Sequence, residues 1–119
     1  MLNTDLGRRG EALAAAHLAQ LGYAILARNW RCSAGEADIV ATHAGDLVII
    51  EVKTRRGVGA EGRALASLTP TKQARLLTLA EGYVAEYALD DLGLRVDVVT
   101  VAVMPEGDFI EVYENALGW

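Results

Sequence analysis

The stretch GEADIVATHAGDLVIIEVKTR, residues 35–55, reads as two apolar strands joined by a short turn. Its strands carry charges where a buried sheet is oily: Glu36 and Asp38 in the first, Glu51 and Lys53 in the second. A two-residue turn at Ala44-Gly45 sets His43 opposite Asp46, and facing pairs follow from there. Val40 faces Ile49, Asp38 faces Glu51 and Glu36 faces Lys53 on one side. Ile39 faces Ile50, Ala41 faces Val48 and Ala37 faces Val52 on the other. A one-residue slip would place Glu51 on the face of Ile39, so the hydrophobic pattern selects this register.

Directly opposed side chains have Cβ atoms about 4.5–5.5 Å apart, and two carboxylates so placed destabilise a sheet unless something compensates. A divalent cation is the natural compensation. Hard oxygen ligands suit Mg²⁺, Mn²⁺ or Ca²⁺, and Mg²⁺ commonly takes one or two carboxylates plus substrate phosphate. Lys53, on the same face, is placed to orient or deprotonate a water or to stabilise phosphate charge. The competing reading is a solvated ladder of salt bridges at the frayed end of the hairpin; the Val- and Ile-rich surroundings argue against it.

Outward from the hairpin, residues 4–21 set Leu6, Leu13, His17 and Leu21 near one helical face, with Gly22 as a stop. Residues 23–31 are β-favouring, and 56–68, rich in Gly and Arg, read as a mobile loop. Thr69-Pro70 opens a second helix, Thr as N-cap and Pro in the first turn. Its packing face is Leu76, Leu77, Ala80, Tyr83, Val84 and Tyr87. Strands follow at 95–104 and 109–114, turned by Pro105-Glu106-Gly107-Asp108. The order is α-β-β-β-α-β-β, an α/β chain with no internal repeat, read as a single domain over 1–119.

With 119 residues, 52% hydrophobic and 23% charged, the chain is a folded globular protein rather than a disordered tail. One cysteine, Cys32, excludes an internal disulfide and suits the reducing cytoplasm; two histidines and no CxxC argue against structural zinc. GRRGEALAAAHLAQLG (7–22) has the look of a twin-arginine signal, but Glu11, His17 and Gln20 break its apolar run. No segment approaches the roughly 18 apolar residues of a membrane span.

The net charge of −5 is unevenly spread. Residues 1–75 hold ten Lys/Arg against seven Asp/Glu; residues 76–119 hold one against nine. Lys53, Arg55, Arg56, Arg63, Lys72 and Arg75 share their stretch with a single acid, Glu61, which is compatible with phosphate binding.

Asp38 followed by Glu51-Val52-Lys53 resembles the PD-(D/E)xK signature of restriction-endonuclease-like nucleases, with Ala37 where the signature's name has proline. The whole chain resembles the small bacterial YraN-type family, whose members are similar to Holliday-junction resolvases. The matching blocks are GRRGEALAAAHLAQLGY, ILARNWRCSAGEADIVA, DLVIIEVKTRRG, LTPTKQARLLTLAEGYV, LRVDVVTV and ENALGW.

The resemblance implies a restriction-endonuclease-like mixed β-sheet flanked by helices and a metal-dependent endonuclease acting on DNA, branched DNA included. Asp38 and Glu51 would hold Mg²⁺ or Mn²⁺, with the Val52 carbonyl as a third ligand. Lys53 would be the catalytic lysine, and Glu11 a further metal or water contact. Gln73 and Lys72 would support the site or touch phosphate, with Arg55, Arg56 and Arg63 steering the nucleic-acid backbone. Glu36 would hydrogen-bond backbone or support the ligands. Cleavage of a symmetric junction implies a homodimer. The alternatives are a non-catalytic nucleic-acid- or protein-binding module that keeps the fold, and an interaction protein docking through its acidic 81–114 region. Asp97 reads as an ion pair with Arg95, His17 and His43 as an interior and a turn residue, and Trp30 and Trp119 as packing residues.

Overall fold

The computed structural model describes residues 3–57 and 68–118, with the side chains of Asn3 and Thr4 aside. Most of the expected 56–68 loop, with Arg63, and Trp119 lie outside the described residues. The elements are α1 (Asn3–Gln20), β1 (Ala24–Cys32), β2 (Gly35–His43), β3 (Asp46–Arg56), α2 (Pro70–Tyr87), β4 (Gly93–Met104) and β5 (Gly107–Tyr113). This is the expected order.

The strands form one mixed sheet in the order β1-β2-β3-β4-β5. The hairpins β1–β2, β2–β3 and β4–β5 are antiparallel, and β3 runs parallel to β4, a pairing that requires a crossover, which α2 supplies. The two central strands are covered on both faces. Leu47–Ile50 and Arg95–Val103 are therefore buried without alternation, as parallel strands between helices read. Among the described residues no helix is long and apolar enough to cross a membrane.

α2 covers one face through Leu76, Leu79, Ala80 and Tyr83, packed on Val40, Leu47, Ile49, Val96 and Val98. α1 covers the other through Ala14 and Leu18, packed on Ile39, Val48, Ile50, Val99 and Val101. Two expected helix faces shift. Leu18 takes the inward place expected of Leu21, which is 52% exposed beyond the helix end. Leu79 is buried where Leu77 and Tyr87 were expected, because the inward stripe runs 76, 79, 80, 83. Thr69 caps α2 as expected, its Oγ1 accepting the Lys72 N–H at 3.3 Å.

At Gly10, α1 comes against β3. A Cβ built there would lie 2.7 Å from Thr54 Cβ and overlap its hydroxyl. This approach brings the neighbouring Glu11 to the edge of the sheet.

At the end of the sheet where β3 and β4 begin, a buried polar network ties strands, turn and tail together. Asp97, 0% exposed, accepts the Tyr23 hydroxyl at 2.6 Å, Arg95 Nε at 2.9 Å and the Asn115 N–H at 2.9 Å. Arg95 Nη2 also meets His43 Nδ1 at 2.7 Å, and the His43 ring stacks on Tyr23 at 3.9 Å. Arg95 cannot accept, so His43 Nδ1 does, and its proton sits on Nε2. Burial and the Asp97 carboxylate both push the Tyr23 hydroxyl's pKa up, and no buried side-chain polar atom among the described residues lacks a partner. The Arg95–Asp97 pair is the one expected from sequence, and Trp30 packs as expected, edge-on to Tyr83 at 5.1 Å.

Gly10→Ala should destabilise the fold by about 1–3 kcal/mol through overpacking against Thr54, against the gain of up to about 1 kcal/mol usual for this change within a helix. Asp97→Ala should cost about 3–5 kcal/mol by leaving Arg95 buried without its main counter-charge. Urea unfolding of the two variants checks both.

Candidate active site at the parting of two strands

The β2–β3 hairpin takes the expected register: His43↔Asp46, Val40↔Ile49, Ile39↔Ile50. Its turn is the expected pair, Ala44 and Gly45, at φ 52° and 84°, both left-handed as a tight hairpin turn demands. The ladder stops at Ile39↔Ile50, whereas β3 continues beside β4 to Arg56. From Glu51 onward β3 has lost one neighbour. The Asp38 carboxylate spans the gap, accepting the Val52 N–H at 2.8 Å in place of a strand carbonyl.

Beyond this point β2 departs from simple alternation. Arg28 pairs with Ile39 and Trp30 with Ala37, but Asn29 and Asp38 are not a ladder pair, and Asn29 has φ 54°. Ala27 and Trp30, three apart, consequently both pack toward α2, as do Val40 and Ala37. Glu36 is thereby turned away from Lys53. The expected Glu36–Lys53 and Ala37–Val52 pairs do not form, and Glu36 makes an ion pair with Arg31 instead.

Asp38 and Glu51 do meet. Their carboxyls lie against each other, and Glu51 is only 9% exposed. Burial, the Glu51 contact and the Glu51 charge push the Asp38 carboxyl up to about 8; the Val52 N–H opposes this and the Glu11 charge adds to it. Glu11 is itself raised, mainly by burial, against a hydrogen bond from Asn29 and the charge of Arg28. Alternation along β3 puts Lys53 on the side of Glu51. Lys53 is half-buried, and its side chain holds no hydrogen bond or ion pair among the described residues.

A cavity of about 690 Å³ opens at the gap, walled by Leu6, Gly7 and Glu11 of α1, Asp38, and β3 from Val52 to Arg56. Of the expected site residues, Glu11, Asp38, Val52, Lys53, Arg55 and Arg56 line it, with Glu51 behind Asp38. Lys72 and Gln73 are not among its lining residues. Gln73 Nε2 instead donates to the Leu68 carbonyl at 2.8 Å, closing the chain just before α2.

The residue that α2 does bring to the carboxylates is Arg75, its Nη2 3.9 Å from Glu51 Oε2. Its stem runs beside Gly35, whose φ of 138° is one that glycine adopts freely. The available signal was helical spacing, since Arg75 lies four residues before buried Leu79 and shares its face.

Two carboxyls in contact fit a cation. Among the described residues no group of three or more His, Cys, Asp or Glu is arranged to hold a metal. The described residues thus offer at most a carboxylate pair to such an ion.

Residues 10–101 match the family model described as "Uncharacterised protein family UPF0102". A UPF0102 protein of Roseiflexus castenholzii is 52% identical over 101 residues, covering 84% of this chain and 81% of the relative. One from Clavibacter michiganensis is 50% identical over 104 residues, covering 87% and 86%. One from Streptomyces griseus is 46% identical over 114 residues, covering 95% and 93%. The chain belongs to the UPF0102 family.

Asp38 holds its proton more tightly folded than unfolded, so its contribution is complete below about pH 4 and is lost as pH rises through about 8. In EDTA the melting temperature should therefore fall by several degrees between pH 5 and 9. Asp38→Asn should flatten that fall, and millimolar Mn²⁺ should reverse it in the unsubstituted protein.

Proposed function

We propose that this UPF0102 protein is a metal-dependent endonuclease of the PD-(D/E)xK type that hydrolyses phosphodiester bonds in DNA, branched DNA included. What carries the reading is the buried Asp38–Glu51 contact beside Lys53, at the mouth of a cavity walled by Arg55 and Arg56. Asp38, Glu51 and the Val52 carbonyl would hold Mg²⁺ or Mn²⁺. Such an ion supplies a more acidic water and neutralises charge on the scissile phosphate and leaving oxygen.

The chain's own residues do the rest. Lys53, without a partner among the described residues, is free to orient the attacking water or to meet developing phosphate charge. Glu11, whose raised pKa reflects its burial, accepts a hydrogen bond from that water or takes its proton. Arg55 and Arg56, both exposed, hold flanking phosphates, and Arg75 at Glu51 balances the carboxylate charge from the α2 side. Symmetric cleavage of a junction asks for two such sites and hence a homodimer, and the lone cysteine suits work in the cytoplasm.

One observation favours a second reading, a nucleic-acid-binding module without catalysis: the described residues gather two carboxylates at the site rather than three metal ligands. Metal binding separates the two.

Calorimetry should show Mn²⁺ binding that Asp38→Asn abolishes. Mn²⁺-supported cleavage of linear, flapped or four-way DNA should fall about 10²–10⁴-fold in Lys53→Ala, the range lost with a general acid or base. Full cleavage by both variants would sink the endonuclease; DNA binding with no metal uptake would establish the module.

A further inference from the structure

Gly7 is the glycine of α1 that packing does not explain. Gly10 is required by Thr54, whereas a Cβ at Gly7 would meet nothing within 4 Å. Glycine inside a helix costs about 1 kcal/mol relative to alanine, so an open helical position gains nothing structural from it. Gly7 sits on the saddle between two grooves. The first is the 690 Å³ cavity at Asp38; the second, of about 480 Å³, is formed with Arg8, Asn29, Arg31 and Glu36. Gly7 and Glu11 line both.

The second groove has the chemistry of a phosphate seat. The Arg31 side chain is 81% exposed and meets Glu36 through Nε, leaving both terminal amino groups to outside acceptors. Arg8, in that groove, and Arg28, outside its lining but with its charge felt at Glu11, are exposed, and their side chains hold no hydrogen bond or ion pair among the described residues. Arg55 and Arg56 stand at the far end of the first groove. Cationic side chains thus flank the carboxylates on both sides, although the net charge is −5. The first groove alone is of small-ligand size, about 300–1,000 Å³, so a polymer must leave it at both ends.

We infer that the two grooves form one track for a single nucleic-acid strand, running from Arg55 and Arg56 past Asp38 and over Gly7 to phosphate contacts at Arg8, Arg28 and Arg31. The track rests on the nucleic-acid reading above and adds which way the strand leaves the site. Asn29 turns the β1 edge there, and the missing side chain at Gly7 lets the backbone pass.

Fluorescence anisotropy with labelled single-stranded DNA of about 4 and about 16 nucleotides, in Ca²⁺, tests it. The unsubstituted protein should prefer the longer strand. Gly7→Phe, which fills the saddle without changing charge, should cut the long-to-short affinity ratio about tenfold. Arg8→Ala/Arg28→Ala should do the same and lower the salt slope by about 1.4, two single-strand phosphate contacts. Gly7→Ala should keep the ratio and raise the melting temperature. Length-dependent binding that Gly7→Phe and the arginine pair leave unchanged overturns the track and spares the nucleic-acid reading. Binding of four-way DNA with no binding of either single strand overturns the track alone, whereas failure to bind the single strands and four-way DNA alike overturns that reading, and the track with it.

Discussion

The central strand β3 has a parallel neighbour along its full length and an antiparallel neighbour along only half of it. That asymmetry governs everything around the site. A buried strand edge cannot be left with free amides, so where β2 parts from β3 a side chain must replace the missing ladder. Asp38 does so through Val52, and in doing so its carboxyl is brought against Glu51. The same parting opens the space that α1 lines, because Gly10 lets the helix reach Thr54. Structural repair and carboxylate pairing are one event.

The two ends of the sheet show opposite ways to bury charge. At the start of β4, Asp97 is answered by a guanidinium, a phenol and a backbone amide, and the C-terminal segment is held in place. Ala116 completes that hold by donating its N–H to the Val96 carbonyl at 2.7 Å. At the parting of β2 and β3 the answer is incomplete. Arg75 stands at 3.9 Å and is partly exposed, and the Asp38 carboxyl, lying against Glu51, is pushed up instead. A closed network of the first kind rigidifies; an open pair of the second kind is left with repulsion that the proposed cation would relieve.

Much of this was legible before the structure. The Ala44-Gly45 turn and the oily face of 39–50 select a single hairpin register, which holds from His43–Asp46 to Ile39–Ile50; the expected facing of Asp38 and Glu51 is not a ladder pair, and their carboxyls meet because Asp38 turns to the Val52 N–H. The Thr69-Pro70 helix start and the order of elements were likewise readable from local chemistry. Glu36 was not, because its face depends on a left-handed Asn29 in the neighbouring strand, and spacing within β2 carries no trace of that. The helix faces were read slightly out of phase, through Leu21 and Leu77 rather than Leu18 and Leu79, since the apolar residues of both helices extend beyond their buried stripes.

The sequence by itself therefore determined the hairpin register from Ile39 to Ile50 and the side shared by Glu51 and Lys53, because alternation and turn chemistry are local and act over a few residues; the meeting of Asp38 with Glu51 came from the parting of the strands. Only the tertiary structure decided what surrounds them. Glu11 and Gly7 reach the site on a helix placed by one glycine contact, Arg75 comes across a crossover, and Arg8 and Arg31 line one groove where a strand bends. Each depends on how distant elements pack against a sheet that parts, and no spacing along the chain encodes that distance.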